Sequence, residues 1–169
     1  MALYLIPNGA AGTTAAPVHV TTGTAIKTLL QFQPSATIVA RIAEWGISFD
    51  GSAAATPGSV ELVETDVAAT VTAHVAAGIT KYDEAALMGG DPTTNLIQVG
   101  TANTGYTASV EGASTLARLF DIQKIAGTNQ YVKQFPLGAR PAIQISKFLR
   151  VRVTFAAAIN AYCYVIVEI

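Results

Sequence analysis

Two histidines, one cysteine and one tryptophan carry most of the distinctive chemistry open to this sequence. His19 and His74 each fall in a strand-like stretch. No His-x-x-x-His pair occurs and no glutamate flanks a histidine at ligand spacing, so a metal site has no support. Both are read as packed or strand-surface side chains. Glu61 with Glu64, and Asp83 with Glu84, are close in sequence. A glycosidase needs two carboxylates about 5–9 Å apart across a sugar, but adjacency in a β-rich chain does not set that distance. Solvated carboxylates are the favoured reading. No serine sits in a Gly-x-Ser-x-Gly elbow, and no glycine-rich loop ends in Gly-Lys. Gly89-Gly90 precedes Asp91-Pro92, which is a turn and not a phosphate-holding helix start. A nucleophile, a base and a group to orient it cannot be assembled. The chain reads as non-enzymatic, with no cofactor and no metal.

What remains is recognition chemistry. Tyr162 and Tyr164 alternate with the aliphatic residues of the C-terminal strand, and Arg150 and Arg152 do the same in the strand before it. Tyrosine and arginine are enriched where proteins bind one another, so these four are candidate interface residues. Trp45 lies mid-strand and reads as core. Cys163, in Ala161-Tyr162-Cys163-Tyr164-Val165, reads as a buried thiol; a lone cysteine forms no intrachain disulfide. If Glu44 shares a face with Ile38 and Ile42, it needs a partner, with Arg41, Arg150 or a neighbouring subunit as candidates.

The elements that position these residues are strands. Leu3, Tyr4, Leu5 and Ile6 belong to a short apolar run closed by Pro7-Asn8-Gly9, a turn signal. Residues 1–22 read as an extended N-terminal arm or an edge strand, and residues 23–169 as a β-sandwich domain. Thr37 to Phe49 is apolar on both faces and should be covered on both. Shorter strands are expected near 59–65, 69–75, 94–99, 106–110, 117–122 and 131–135. A single helical turn could fall at 81–88, and an Ala-rich loop spans 52–58. Leu149, Val151, Val153 and Phe155 alternate with polar residues, as do Ala161, Cys163, Val165 and Val167. A hairpin with a five-residue loop would align the two aliphatic sets and set Arg152 opposite Tyr164. About eight to ten short strands with little helix make a single all-β sandwich, jelly-roll-like or Greek-key.

Composition narrows the class. The 169 residues are 51% hydrophobic and only 12% charged, with net charge −1 and mean hydropathy +0.42. Ordinary domains are about 25% charged. A disordered polyelectrolyte combines low hydrophobicity with high charge and is excluded; a nucleic-acid binder needs a basic face, which the composition argues against. No apolar run reaches membrane-spanning length, and Met1 to Pro7 lacks the basic start of a signal peptide. Synthesis in the cytoplasm is expected. So few charges suit a surface largely covered by partners.

Five stretches carry a resemblance: Ala2-Leu3-Tyr4-Leu5-Ile6-Pro7-Asn8-Gly9, Glu44-Trp45-Gly46-Ile47-Ser48-Phe49-Asp50-Gly51, Gly89-Gly90-Asp91-Pro92-Thr93-Thr94, Gln134-Phe135-Pro136-Leu137-Gly138 and Lys147-Phe148-Leu149-Arg150-Val151-Arg152-Val153. In these the chain resembles small virion structural proteins of tailed bacteriophages infecting actinobacteria, most of all capsid decoration (cement) proteins. The resemblance implies a protein on the capsid exterior of the virion, made in the host cytoplasm. Its partners would be the major capsid protein and copies of itself, most often as a homotrimer, with no nucleic acid and no membrane. It also implies that residues 2–22, with Leu3, Tyr4, Leu5 and Ile6, clamp the shell or an adjacent subunit, and that their deletion leaves the sandwich folded. A tail or fibre component, or a carbohydrate-binding sandwich, are the alternatives.

Overall fold

A computed structural model describes residues 2–10, 16–52, 56–82 and 96–169. The chain forms β1 (Leu3–Pro7), β2 (Val20–Thr21), β3 (Lys27–Phe32), β4 (Ala40–Asp50), β5 (Gly58–Thr65), β6 (Thr70–Ala73), β7 (Thr80–Lys81), β8 (Gly105–Val110), β9 (Ala117–Ile125), β10 (Gln130–Gln134), β11 (Ala142–Ile143), β12 (Phe148–Thr154) and β13 (Asn160–Glu168). A 3-10 turn lies at Ala76–Gly78. The front sheet runs β10-β4-β13-β1-β7, and the back sheet β6-β8-β3-β12-β5-β9. The expected all-β sandwich is therefore the fold.

Eight strands define its topology. The first pairs with the last, β1 with β13. The second pairs with the seventh, β3 with β12. The third pairs with the sixth, β4 with β10, and the fourth with the fifth, β5 with β9. This is one long antiparallel hairpin rolled over on itself, the wrapping of a jelly roll. The segment between β5 and β9 is an insertion. Its β6 and β8 extend the back sheet beyond β3, and its β7 extends the front sheet beyond β1. His74 sits at the crossing, 2% exposed. Its Nε2 lies 2.6 Å from the Pro7 carbonyl and its ring meets Tyr106 edge-on at 5.0 Å.

The C-terminal strands correct one expectation. β12 lies in the back sheet between β3 and β5, and β13 in the front sheet between β4 and β1. They do not form a hairpin, because residues 155–159 cross from one sheet to the other. The two aliphatic sets do share the core, but face to face across it. Leu149, Val151 and Val153 meet Cys163, Val165 and Val167 in one cluster with Trp45 and Leu62. Periodicity dictates which side of a strand is buried and leaves its lateral neighbour open. Arg152 consequently pairs with Glu61 at 2.6 Å, not with Tyr164.

The N-terminal arm is a second correction. β1 is hydrogen-bonded on both flanks, to β13 and to β7. The buried Asn8 side chain carries the ladder onward: its Oδ1 accepts the Cys163 N–H (3.0 Å) and its Nδ2 donates to the Ala161 carbonyl (3.3 Å). β2 then resumes pairing with β13 at Ala161 and Asn160. Tyr4 and Ile6 are core residues, 1% and 0% exposed. Deleting residues 2–22 would bare the flank of β13 and empty part of the core, so the sandwich would not survive it.

Other expectations fall into place more simply. Of the strand expected at 94–99, residues 94 and 95 lie outside the described residues, and Ile97 and Val99 form isolated bridges. Residues 83–88 of the expected helical turn, residues 53–55 of the Ala-rich loop, and Gly89 to Pro92 lie outside the described residues. Glu64 is not solvated. It is 5% exposed, bonded to Arg118 at 2.9 Å and to the Gln144 N–H at 2.7 Å.

A buried carboxylate joins the two sheets on the side away from the insertion. Asp121, on back-sheet β9, accepts the Trp45 indole N–H at 3.2 Å and the Tyr131 hydroxyl at 2.9 Å, both from the front sheet. Lys133 Nζ lies 3.2 Å from its other oxygen. Burial pushes the Asp121 pKa up, but donors on Tyr131, Gln123 and Lys133 outweigh it and hold the carboxyl below its ordinary range. Removing one member of such a set strands the rest. Asp121→Ala should lower unfolding free energy by about 3 kcal/mol in denaturant titration; a loss below about 1 kcal/mol would show that the junction is not structural.

Acid should weaken the fold through His74. Burial lowers its pKa from the ordinary 6.5. Above that value both folded and unfolded states are neutral and its contribution is whole. As the pH falls toward the lowered folded value, the unfolded chain takes the proton first and stability drops, by up to about 1.4 kcal/mol per pH unit. His74→Gln should flatten the stability profile below about pH 6.5; an unchanged slope would refute the assignment.

Candidate functional site

The two outer faces of the sandwich differ, and the difference starts with buried polar side chains. On the back sheet, Arg150 points outward from β12 but is 1% exposed. It donates to the carbonyls of Glu111 (2.9 Å) and Val67, both in the insertion. Gln31, wholly buried, accepts the Ala69 N–H at 2.7 Å and donates to the Asn103 carbonyl at 2.6 Å. The Glu111 carboxylate accepts two bonds from Thr28 on β3, one from the Thr28 backbone N–H (2.5 Å) and one from its hydroxyl (2.6 Å). These staples hold the insertion over Gln31 and Arg150 on β3 and β12, while Leu119 and Ile122 on β9 remain half exposed. Burial lowers the Arg150 pKa, and the Glu111 charge opposes that shift.

The front sheet lacks such a cover among the described residues, apart from the short stretch before β2. There His19 stacks on Tyr162 with ring centroids 4.1 Å apart. The outward residues run in cross-strand rows. Pro7, Tyr164, Gly46 and Val132 make one row, and Leu5, Ile166, Glu44 and Gln134 the next. Tyr162, Ser48 and Gln130 flank the first. In these rows Glu44 is the only charged residue.

A bulge in β4 puts Glu44 there. Ile42 pairs with Val167 and Glu44 with Ile166, so Ala43 has no partner on β13. The extra residue flips the pleat. Ile42 before it and Trp45 after it both point into the core, each 0% exposed. The same bulge divides the neighbouring edge into β10 and β11. The intervening loop, residues 135–141, is anchored by the Phe135 N–H on the Ala43 carbonyl (2.8 Å) and the Ile42 N–H on that of Pro141 (2.9 Å). It rises beside Glu44 and walls a cleft of about 610 Å³. A second, more apolar cavity of about 410 Å³ lies between Leu5, Pro17, Val132, Tyr162 and Tyr164.

Glu44 accepts two hydrogen bonds, from the Tyr164 hydroxyl and from Gln134 Nε2 (2.6 Å). Its expected partners, Arg41 and Arg150, play no such part: Arg41 is exposed and Arg150 lies on the other sheet. Burial and the Glu44 carboxylate push the Tyr164 pKa well above that of an ordinary phenol. The ring lies flat across β4 only because Gly46 is beneath it. A Cβ there would stand 2.6 Å from the ring.

The eight residues singled out from sequence therefore divide. Leu3, Leu5, Tyr162 and Tyr164 come together on the front face. Tyr4 and Ile6 are in the core, Arg150 is sealed beneath the insertion, and Arg152 is bonded to Glu61 on the back sheet. Sequence reasoning missed Val132 (53% exposed), Leu137 (79%) and Tyr82 (51%) as surface groups. The Pro136-Leu137-Gly138 turn was the available signal for Leu137. Cys163 is buried, and burial pushes its thiol well up. Among the described residues, no three His, Cys, Asp or Glu side chains are grouped to hold a metal, and no helix is long and apolar enough to cross a membrane. Neither protein-family models nor curated proteins give a match to this sequence.

The packing of Tyr164 on Gly46 can be checked by a double-mutant cycle. Gly46→Val should cost about 1–3 kcal/mol of unfolding free energy through overpacking. In a Tyr164→Ala background most of that cost should disappear. An equal cost in both backgrounds would place the clash elsewhere.

Proposed function

We propose that this chain is a non-enzymatic capsid decoration protein of a tailed bacteriophage, docking through the exposed face of its front sheet. The observation that carries the reading is the asymmetry of the two faces. The β3 and β12 part of the back sheet is stapled under the chain's own insertion, while Leu119 and Ile122 of β9 stay half exposed beside it. On the front, the two rows from Pro7 to Val132 and from Leu5 to Gln134 present tyrosine, leucine, valine and proline with one carboxylate, Glu44; the flanking rows add Glu168, paired with Arg140, and Asp50. Charge depletion with tyrosine enrichment distinguishes the centre of an interface from ordinary surface. The low charge of the whole chain, 12%, points the same way. The jelly roll is a scaffold used by capsid and lectin domains, so the fold is compatible with the reading and the face carries it.

On this reading the mechanism is added contact area. A standard interface buries about 800 Å² per partner. Bridging neighbouring capsid subunits, or binding as a closed trimer, would multiply modest contacts into avidity and resist outward pressure from packaged DNA. The four residues Leu3, Leu5, Tyr162 and Tyr164 lie on the docking face, and the two arginines do not.

The test is the copy number of this chain in purified virions, measured against the major capsid protein by quantitative mass spectrometry. A number comparable to the capsid protein is expected. A handful of copies would move the chain to the tail, and absence would overturn the virion reading. Val132→Asp, which places a charge on the exposed edge strand of the face beside Gly46 and Tyr164, should cut occupancy about tenfold or more without loss of fold; full occupancy would show that another surface docks.

A further inference from the structure

The ion pairs of the described residues give Glu61, Glu64, Glu111, Asp121 and Glu168 each a lysine or arginine. Glu44 receives none of these. Its two bonds come from neutral donors, the Tyr164 hydroxyl and the Gln134 amide. It faces the 610 Å³ cleft, whose walls include Leu3, Ile166, Phe135, Pro136 and Leu137. Arg140 also reaches this cleft, but Glu168 neutralises it at 3.0 Å. The cleft as described thus holds one uncompensated negative charge between apolar walls. Tyr82, half exposed, stands at the same opening.

We propose that this cleft receives a lysine or arginine side chain projected by the docking partner. Charge complementarity selects the head group: each Glu44 oxygen accepts one bond and retains a lone pair for a second. The apolar walls suit the methylene stem, which long cationic side chains lay along hydrophobic surface. The Tyr82 ring offers a face for cation–π contact. A neutral peptide would leave Glu44 without a counter-charge on docking, and an acidic one would be repelled by it. Glu44 therefore sets which partner surface fits, while the tyrosines and aliphatics around it supply contact area. The inference rests on the front face being a protein-docking face. It does not depend on the partner being a capsid subunit.

The test uses the isolated protein, so it is separate from the virion experiment. N-acetyl-lysine amide and N-acetyl-arginine amide are titrated while amide chemical shifts are followed by NMR. Saturable shifts are expected at the Gln134 side-chain amide and at the backbone of Leu137 and Ile166. Glu44→Gln should weaken binding about tenfold. Glu61→Gln, on the other sheet, should leave it unchanged. Leu137→Asp adds a second negative charge at an exposed position and should strengthen binding about two- to fivefold. The proposal is overturned by absence of saturation, by equal binding of the uncharged N-acetyl-norleucine amide, or by equal affinity in Glu44→Gln. Preferential binding of N-acetyl-glutamate amide or of glucose would also overturn it, assigning the cleft to an anion or a sugar.

Discussion

Between Ile42 and Trp45 the chain of β4 carries one residue more than its partner strand, and both the core and the exposed face follow from it. Without the extra residue, Ile42 and Trp45 would point to opposite sides of the sheet. With it, both enter the core, and Glu44 turns outward to meet Tyr164 and Gln134. The bulge also frees Ala43 to bond Phe135 and leaves the edge strand split around residues 135–141. One inserted residue thus buries the tryptophan, exposes the carboxylate and raises the wall beside it. Bulges re-aim side chains in this way near the sites where sheets do their work.

Buried polar groups then decide which side of the sandwich is available. Asp121 needs donors from the front sheet, and Trp45, Tyr131 and Lys133 supply them, so the two sheets cannot slide past one another without stranding a charge. Arg150 and Gln31 act on the outer side of the back sheet. Each would be a serious penalty if left unpaired, and each is satisfied by backbone of the insertion. The insertion is therefore not a loose excursion where it meets the back sheet. It completes polar groups that the sheet itself cannot satisfy, and in doing so it covers the outer side of β3 and β12 at Gln31 and Arg150.

How much of this was legible in the sequence depends on what alternation can encode. The period-two pattern of 149–155 and 161–167 correctly marks which residues are buried, because burial is a property of one strand's face. It cannot reveal that β12 and β13 belong to different sheets, because lateral pairing is a property of the whole roll. The two-sided apolar texture of β4 was visible, yet its cause was a bulge and not two covered faces; a shift of one residue looks the same as double burial in a linear string. Tyr162 and Tyr164 were legible as surface groups on periodicity alone. Arg150 was legible as outward-facing, but its burial depends on Val67 and Glu111, 83 and 39 residues away. Leu3, Tyr4, Leu5 and Ile6 were read as one unit, whereas strand alternation sends two into the core and two to the face.

The low charge of the chain takes on a more definite meaning once the faces are separated. Most of its described acids are committed to internal ion pairs, and those pairs lie at the back sheet, the inter-sheet junction and the Glu168 corner. Internal pairing of that kind fixes geometry without leaving a field at the surface. The rows of the front face around Tyr164 and Ile166 inherit what is left, a tyrosine-bearing apolar surface whose carboxylate, Glu44, is outside those ion pairs. A surface of this kind gains little from long-range steering and much from close shape fit. Its affinity would reside in desolvated tyrosine and aliphatic contacts and its selectivity in Glu44, whose charge has to be met by whatever closes over it.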